Sequence, residues 1–166
     1  MVEAMKLVRV KLLSVIEKLS EFALKYKDLP TLGFTHFQAA QTTTVGKRAT
    51  LWIQDLMMDL DAVDFALSSA KLLGSKGTTG TQASFMELFN NDTDKVKKLD
   101  KMIAEKMGFK DVFAVSGQTY TRKLDSVFAN VLGGIAQSCT KFSNDMRLLQ
   151  HLSLIHISEP TRLQLI

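Results

Sequence analysis

Apolar residues near the start of the chain recur with the period of an α-helix. Successive members are three or four positions apart, so they lie on one side of a helix with about 3.6 residues per turn. They are Val8, Leu12, Val15, Leu19, Phe22 and Tyr26. Pro30 ends the predicted helix, because the residue before a proline is displaced from helical geometry.

A second helical pattern extends over residues 45–73. Its apolar side is formed by Val45, Ala49, Trp52, Leu56, Leu60, Val63 and Leu67. Thr44 is the predicted N-cap, since its hydroxyl can accept a hydrogen bond from a backbone N–H of the first turn. Met57, Met58 and Phe65 add apolar surface outside this stripe. A helix that is apolar on several sides has several packing partners, either within the chain or in a second copy.

The segment between these helices, residues 31–44, is polar and has no helical period, so we predict an ordered loop. It contains His36, beside Thr35 and Gln38. Histidine exchanges protons near neutral pH, which suits a catalytic acid or base, and the neighbouring side chains can orient a ligand. The alternative is a structural histidine that fastens the loop.

Two shorter helices are predicted next. The first covers residues 82–89. Asn91 or Asp92 caps the second, which ends near Met107 with Gly108 as its C-terminal stop.

Irregular segments surround these helices, and one long helix follows. The glycine- and threonine-rich residues 74–81 form a turn, residues 112–115 form a strand-like connector or a buried turn, and residues 116–120 form a polar loop. The last helix covers residues 124–152, with a stripe of Leu124, Val127, Phe128, Val131, Leu132, Ile135, Phe142, Met146 and Leu149. Long amphipathic helices joined by such loops predict an all-α fold, an elongated bundle of long helices.

Composition narrows the class of protein. The chain has 166 residues, which suits one domain, and it is 46% hydrophobic and 23% charged, which suits a folded protein. The single cysteine, Cys139, excludes an internal disulfide and favours a reducing compartment such as the cytoplasm. No apolar stretch is long enough to span a membrane. The net charge of +4 is scattered, which argues against a nucleic-acid partner. No metal site and no cofactor are expected, because the three histidines lie far apart.

Two cations open the second helix. Lys47 and Arg48 lie where the helix dipole already places partial positive charge, so an anion or an acidic partner nearby is expected. A solvated pair, or a salt bridge to another subunit, is the favoured alternative.

Two polar segments offer further donors. Residues 76–81, with Thr78 and Thr79, can surround an anion with backbone N–H groups, or form only a tight turn. Gln118 and Arg122 open the last helix with donors that suit a ligand or a capping network.

Five segments of the sequence resemble the adenylosuccinate lyase family of the animal type. They are Leu29-Pro-Thr-Leu-Gly-Phe-Thr-His-Phe-Gln38, Thr43-Thr-Val-Gly-Lys-Arg48, Leu51-Trp-Ile-Gln-Asp-Leu56, Lys76-Gly-Thr-Thr-Gly-Thr-Gln-Ala-Ser-Phe85 and Ser116-Gly-Gln-Thr-Tyr-Thr-Arg-Lys123. The resemblance covers residues 5–152. It places the chain in the fumarase/aspartase superfamily, and we expect a fragment of the central helical domain, residues 1–152.

The resemblance implies a homotetramer that cleaves fumarate from adenylosuccinate, giving AMP, and from the succinyl-carboxamide ribotide of purine biosynthesis. It makes His36 the proton donor and places Thr35 and Gln118 at the substrate. The remaining candidates are implied as either substrate-binding or structural. They are Gln38, Lys47, Arg48, Thr78, Thr79 and Arg122.

The sequence departs from the family in three places. Ala39 replaces a proline, which loosens the loop without removing function. The serine loop that supplies the family's base, and its N-terminal domain, are not found, so we expect no activity from the chain alone. Residues 153–166 look like translated sequencing-adaptor sequence, with a genuine divergent tail as the alternative. A non-catalytic oligomerisation module, or another fumarate-releasing lyase of the superfamily, is the competing interpretation.

Overall fold

The computed structural model describes residues 1–151, and the predicted tail at residues 153–166 lies outside this part. Helices dominate, as predicted, and one β-hairpin accompanies them. In chain order the elements are α1 (Val2–Lys25), β1 (Pro30–Thr35), β2 (Gln38–Thr44), α2 (Val45–Ser69), α3 (Ala83–Leu88), α4 (Thr93–Lys106) and α5 (Lys123–His151). The predicted all-α class is therefore confirmed for residues 1–151.

The hairpin corrects the prediction of a loop at residues 31–44. Strands β1 and β2 pair antiparallel, and Thr35 pairs with Gln38 across a two-residue turn. Both turn residues, His36 and Phe37, have positive φ angles of 54° and 59°. Such turns normally carry Asn-Gly or Asp-Gly, so the sequence has no recognisable turn signal here. The β-branched threonines of β2 supply the strand preference.

The chain divides into two compact units. The first comprises residues 1, Glu3–Val63 and 130–151, and the second comprises residues 2 and Asp64–Ala129. The core of the first unit is centred on Trp52, with Ala23 and Ala49 buried beside it. Residues from α1, α2 and α5 complete the cluster, namely Leu19, Ile53, Phe142, Met146 and Leu149. Trp52 and Phe142 meet edge to face, with ring centroids 4.9 Å apart.

A glycine lets α2 begin directly against the end of α1. The backbone N–H groups of Val45 and Gly46 donate to the carbonyls of Leu29 and Tyr26, each at 2.9 Å. A Cβ atom at Gly46 would lie 2.4 Å from the Ala23 carbonyl oxygen. No larger residue fits without moving backbone, so Gly46 fixes the base of the hairpin.

The predicted stripe of α2 is confirmed over most of its length, since Ala49, Trp52, Leu56, Leu60 and Val63 are buried. Outside the stripe, Met58 and Phe65 are each 64% exposed, as expected for additional apolar faces.

The stripe predicted for α1 is only partly correct. Leu12 is buried, but Val15 and Phe22 are 46% and 39% exposed. The buried side runs instead through Met5 and Ala23, because the small Ala23 side chain faces the start of α2.

In the second unit, α4 is capped by Asp92, whose carboxylate accepts from the backbone N–H groups of Asp94 and Lys95. Gly108 follows the helix with φ +77°, as predicted for its stop. Helix α2 ends at Ser69, earlier than predicted, because Leu72 forms a parallel β-bridge with Val112. This bridge confirms the strand-like connector.

Within residues 1–151, no helix is long and apolar enough to cross a membrane.

Candidate functional site

His36 occupies the tip of the hairpin. Its side chain is exposed, and within residues 1–151 no protein group forms a hydrogen bond with it. The positive φ angles of His36 and Phe37 are uncommon for residues other than glycine and are found preferentially at functional sites. The hairpin therefore presents an imidazole that is free to contact a ligand.

A cleft of about 460 Å³ lies beside the hairpin tip within the first unit. It is lined by Phe34, His36, Phe37, Arg48, Leu51, Trp52, Lys141, Asp145, Leu148 and Leu149. Its walls are mainly apolar and aromatic, and its polar groups are one imidazole, two cations and one carboxylate. Apolar walls with a few polar groups are typical of small-molecule sites.

Arg48 binds the hairpin that carries His36. Its Nη2 donates to the Leu32 carbonyl at 2.9 Å, and its Nη1 is 3.5 Å from the Thr31 hydroxyl. The contact lies next to the β-bulge between Leu32 and Phe34. Burial lowers the pKa of the Arg48 guanidinium, and the nearby charge of Asp145 opposes that shift. An anion or an acidic partner was expected near this cation. The structure instead gives Arg48 a hairpin carbonyl as its direct partner and the carboxylate of Asp145 at longer range.

Lys47 takes part through its backbone. Its N–H donates to the Thr44 hydroxyl at 3.1 Å, which confirms Thr44 as the N-cap, while its side chain points into solvent.

Asp145 is a site residue that the sequence did not reveal. Its Oδ2 accepts from Trp52 Nε1 at 2.8 Å and from Lys141 Nζ at 3.0 Å. The hydrogen bond to Asp145 raises the pKa of Lys141, and Asp55 adds a second carboxylate 3.6 Å away. The spacing of Lys141 and Asp145 by four residues is a sequence signal for an ion pair on one side of a helix, whereas no signal in the sequence points to the bond with Trp52.

The two residues that flank the turn lie away from the cleft lining. Thr35 lines a shallow depression on the hairpin, together with Gly33, Phe34 and residues 40–43. Gln38 is exposed.

The glycine–threonine turn, predicted over residues 74–81, lies in the second unit and extends to residue 82, because the Gln82 amide donates to the Ser75 carbonyl. Gly77 donates to the Thr81 carbonyl at 2.7 Å, and Thr78 and Thr79 are exposed at its tip. A Cβ atom at Gly80 would lie 2.6 Å from the backbone nitrogen of Gln118. The structure thus places the turn against the exposed Gln118. These are the two polar segments for which the sequence predicted either ligand binding or a local structural role.

Arg122 is held by neighbours in its own segment. Its guanidinium lies 5.3 Å from the centre of the Tyr120 ring, donates to the tyrosine oxygen at 2.9 Å and pairs with Asp125 at 3.3 Å. Of the two roles left open for Arg122, substrate binding and a structural role, these contacts favour the structural one.

Within residues 1–151, no group of three or more His, Cys, Asp or Glu side chains is placed to hold a metal ion.

Comparison with known proteins gives a consistent result. A family model described as Lyase matches residues 1–163. An adenylosuccinate lyase from Schizosaccharomyces pombe is 50% identical over 157 residues, which are 95% of this chain and 32% of that protein. The Saccharomyces cerevisiae adenylosuccinate lyase is 51% identical over 150 residues, 90% of this chain and 31% of that protein. The chain thus spans about a third of the length of these relatives.

A solved structure shares the fold. A fumarate lyase from Mesorhizobium sp. BNC1 superposes with a TM-score of 0.76, covering 92% of this chain and 34% of that chain. Sequence identity is 20%, so this likeness shows the fold alone.

Proposed function

Because this chain belongs to the lyase family, whose model matches residues 1–163, we propose that it is part of an enzyme that eliminates fumarate from adenylosuccinate. The same chemistry serves the succinyl-carboxamide ribotide. The observation that carries the proposal is the free imidazole of His36 at the hairpin tip, beside a cleft with two cations, in a chain half identical to adenylosuccinate lyases.

The reaction needs a base and an acid. A base removes a proton from the carbon next to a carboxylate, the carbon–nitrogen bond breaks, and an acid gives a proton to the departing nitrogen, leaving AMP and fumarate. His36 is the acid in this scheme, because a positioned histidine can give a proton near neutral pH. Thr35 and Gln118 contact the substrate.

The positive charge of the cleft suits an anionic substrate. Adenylosuccinate carries carboxylates and a phosphate, and elimination builds further negative charge on one carboxylate. Preorganised positive groups stabilise such charge best in a site that excludes water. Arg48 acts mainly by holding the hairpin, while Lys141 keeps its proton because of Asp145 and Asp55.

A second proton-transfer group is not free in the described part of the cleft, since Asp145 accepts hydrogen bonds from Trp52 and Lys141. We therefore expect the purified 166-residue chain to release no AMP from adenylosuccinate. An absorbance assay on chain prepared from a host lacking its own lyase measures this, and steady AMP release would show that the chain supplies its own base.

Exposed apolar side chains on α2 support a homo-oligomer. Burial of a side chain such as Met58 or Phe65 yields about 1.5–3 kcal/mol, so leaving both in water is unfavourable. A tetramer is the form that the family resemblance implies, and sedimentation equilibrium measures it.

The proposal is tested by mixed expression. The chain is produced together with a Saccharomyces cerevisiae adenylosuccinate lyase whose histidine at the position equivalent to His36 is replaced by alanine. We expect the mixed complex to regain adenylosuccinate cleavage, with no cleavage of argininosuccinate and no hydration of fumarate. Activity on either of those two compounds instead would assign the chain to another lyase of the superfamily.

The exposed apolar faces also favour a second candidate, a non-catalytic module that only assembles with itself or with a lyase. A module of this kind would join the mixed complex without restoring activity. Co-purification with no regained turnover would therefore support the second candidate and contradict the first.

A further inference from the structure

A buried carboxylate lies at the base of the glycine–threonine turn. Asp100, on α4, is 7% exposed. Its Oδ1 accepts from the Ser75 backbone N–H at 2.6 Å, and its Oδ2 accepts from Lys76 Nζ at 3.1 Å and from Gln82 Nε2 at 3.0 Å. A charge removed from water is unfavourable unless it is paired and hydrogen-bonded, and Asp100 meets both conditions. Nothing in the proposed chemistry uses this group directly.

Asp100 joins the two ends of the turn. Ser75 and Lys76 open the turn and Gln82 closes it, so one carboxylate binds both ends. Gln82 also donates to the Ser75 carbonyl at 3.1 Å, which closes the loop a second time. Gly74 has φ +90°, and a Cβ atom there would lie 3.1 Å from Asp100 Oδ1. The close approach of the carboxylate therefore depends on a glycine at this position.

The far side of the turn lies against the segment that carries Gln118. A Cβ atom at Gly80 would lie 2.5 Å from the Gly117 carbonyl carbon and 2.6 Å from the Gln118 nitrogen. The Ser116 hydroxyl donates at 2.9 Å to the carbonyl of Leu73, the residue immediately before the turn, so the Gln118 segment is also joined to the start of the turn. A shift of the turn must therefore move the backbone at Gln118.

We propose that Asp100 is a positioning residue for Gln118. It fixes the turn through Ser75, Lys76 and Gln82, and the turn fixes the backbone from which Gln118 reaches the substrate. This inference rests on the proposed function in one respect, namely that Gln118 is a substrate contact.

The first test follows the backbone. Asp100→Asn keeps the shape of the side chain but replaces an acceptor by an amide whose nitrogen faces protein donors. We expect amide hydrogen exchange in the full chain to become at least tenfold faster both in residues 75–82 and at residues 117–118. Asp94→Asn, at an exposed carboxylate of the same helix, is the matched control and leaves exchange at both segments unchanged. Faster exchange confined to residues 75–82 would overturn the inference, as would no change in either segment.

A second variant covers loss of folding. If Asp100→Asn abolishes cooperative unfolding, Gln82→Met removes one donor and leaves Asp100 paired with Lys76 and Ser75. The same joint change of exchange is expected, and unchanged exchange at residues 117–118 would again count against the inference.

The second test is kinetic. In the mixed complex with the histidine-deficient yeast lyase, we expect Asp100→Asn to raise KM for adenylosuccinate at least fivefold while kcat stays within twofold. A purely structural role would lower the amount of active complex and leave KM unchanged, which would overturn the inference. If the unsubstituted chain restores no activity, the proposed function fails, whereas the exchange result still decides whether Asp100 positions Gln118.

Discussion

Replacing Gly46 by alanine sets two physical effects against each other. Alanine favours a helix over glycine by about 1 kcal/mol, so propensity alone predicts a more stable protein. The added Cβ atom, however, would lie 2.4 Å from the Ala23 carbonyl oxygen and 2.6 Å from the Lys27 Cα atom. Ordinary non-bonded carbon contacts are about 3.5–4.0 Å, so the ends of α1 and α2 must separate by roughly 1 Å.

The clash outweighs the helix preference. Overpacking of this kind costs about 1–3 kcal/mol, because the atoms in the way belong to the backbone and cannot rotate aside. Separation also weakens the two hydrogen bonds that Val45 and Gly46 donate, each contributing about 0.5–1.5 kcal/mol. After subtraction of the propensity gain, Gly46→Ala is expected to lower the free energy of unfolding by about 1–5 kcal/mol.

Urea unfolding followed by circular dichroism, at fixed protein concentration, measures this change. Gly133→Ala is the matched control, since Gly133 lies inside α5 and a Cβ atom there has no neighbour within 4 Å. The control is expected to gain about 0.5–1 kcal/mol. Equal stabilisation by the two substitutions would refute the close packing at Gly46.

Two further substitutions test the hairpin and the cap of α4. Arg48→Met removes the donors to Leu32 and Thr31, so we expect it to lower the free energy of unfolding by about 1 kcal/mol and to speed amide hydrogen exchange in β1. Arg48→Lys is expected to give little rescue. Unchanged exchange would show that the hairpin does not depend on Arg48. The hydrogen bond from the Lys95 backbone N–H lowers the pKa of Asp92 in the folded protein. The Asp92 carboxylate therefore stabilises the fold above its unfolded-state pKa of about 3.9, and this stabilisation is lost as the pH falls through the lower folded-state pKa. Asp92→Asn should therefore lose less stability than the parent chain in thermal melts below about pH 4, and parallel losses would contradict this.

Local signals explain which parts of the fold the sequence predicted. Thr44 and Asp92 mark helix starts through hydrogen bonds to residues three positions away, so their effect is visible in a short window of sequence. The same holds for Gly108, whose positive φ angle suits the end of α4. The buried stripe of α2 follows from periodicity alone.

The hairpin and the polar networks depend on contacts that a short window does not contain. The turn at His36 and Phe37 lacks the glycine or asparagine that normally marks it. Trp52 and Asp145 are 93 positions apart, and Asp100 meets the turn across 18–25 positions. Such pairs arise from packing, so the sequence offered His36 and Gln118 as candidates by motif but gave no signal for Asp145 or Asp100.

Turnover by a His36→Asn chain in the mixed complex with the histidine-deficient yeast lyase tests the role of His36 most directly. Asparagine accepts the positive φ angle of 54°, so the hairpin is expected to remain intact while the ionisable group is lost. General acid catalysis contributes about 10²–10⁴-fold, so turnover should fall at least a hundredfold while affinity for adenylosuccinate changes less than about threefold. An unchanged turnover number would contradict the assignment of His36 as the acid.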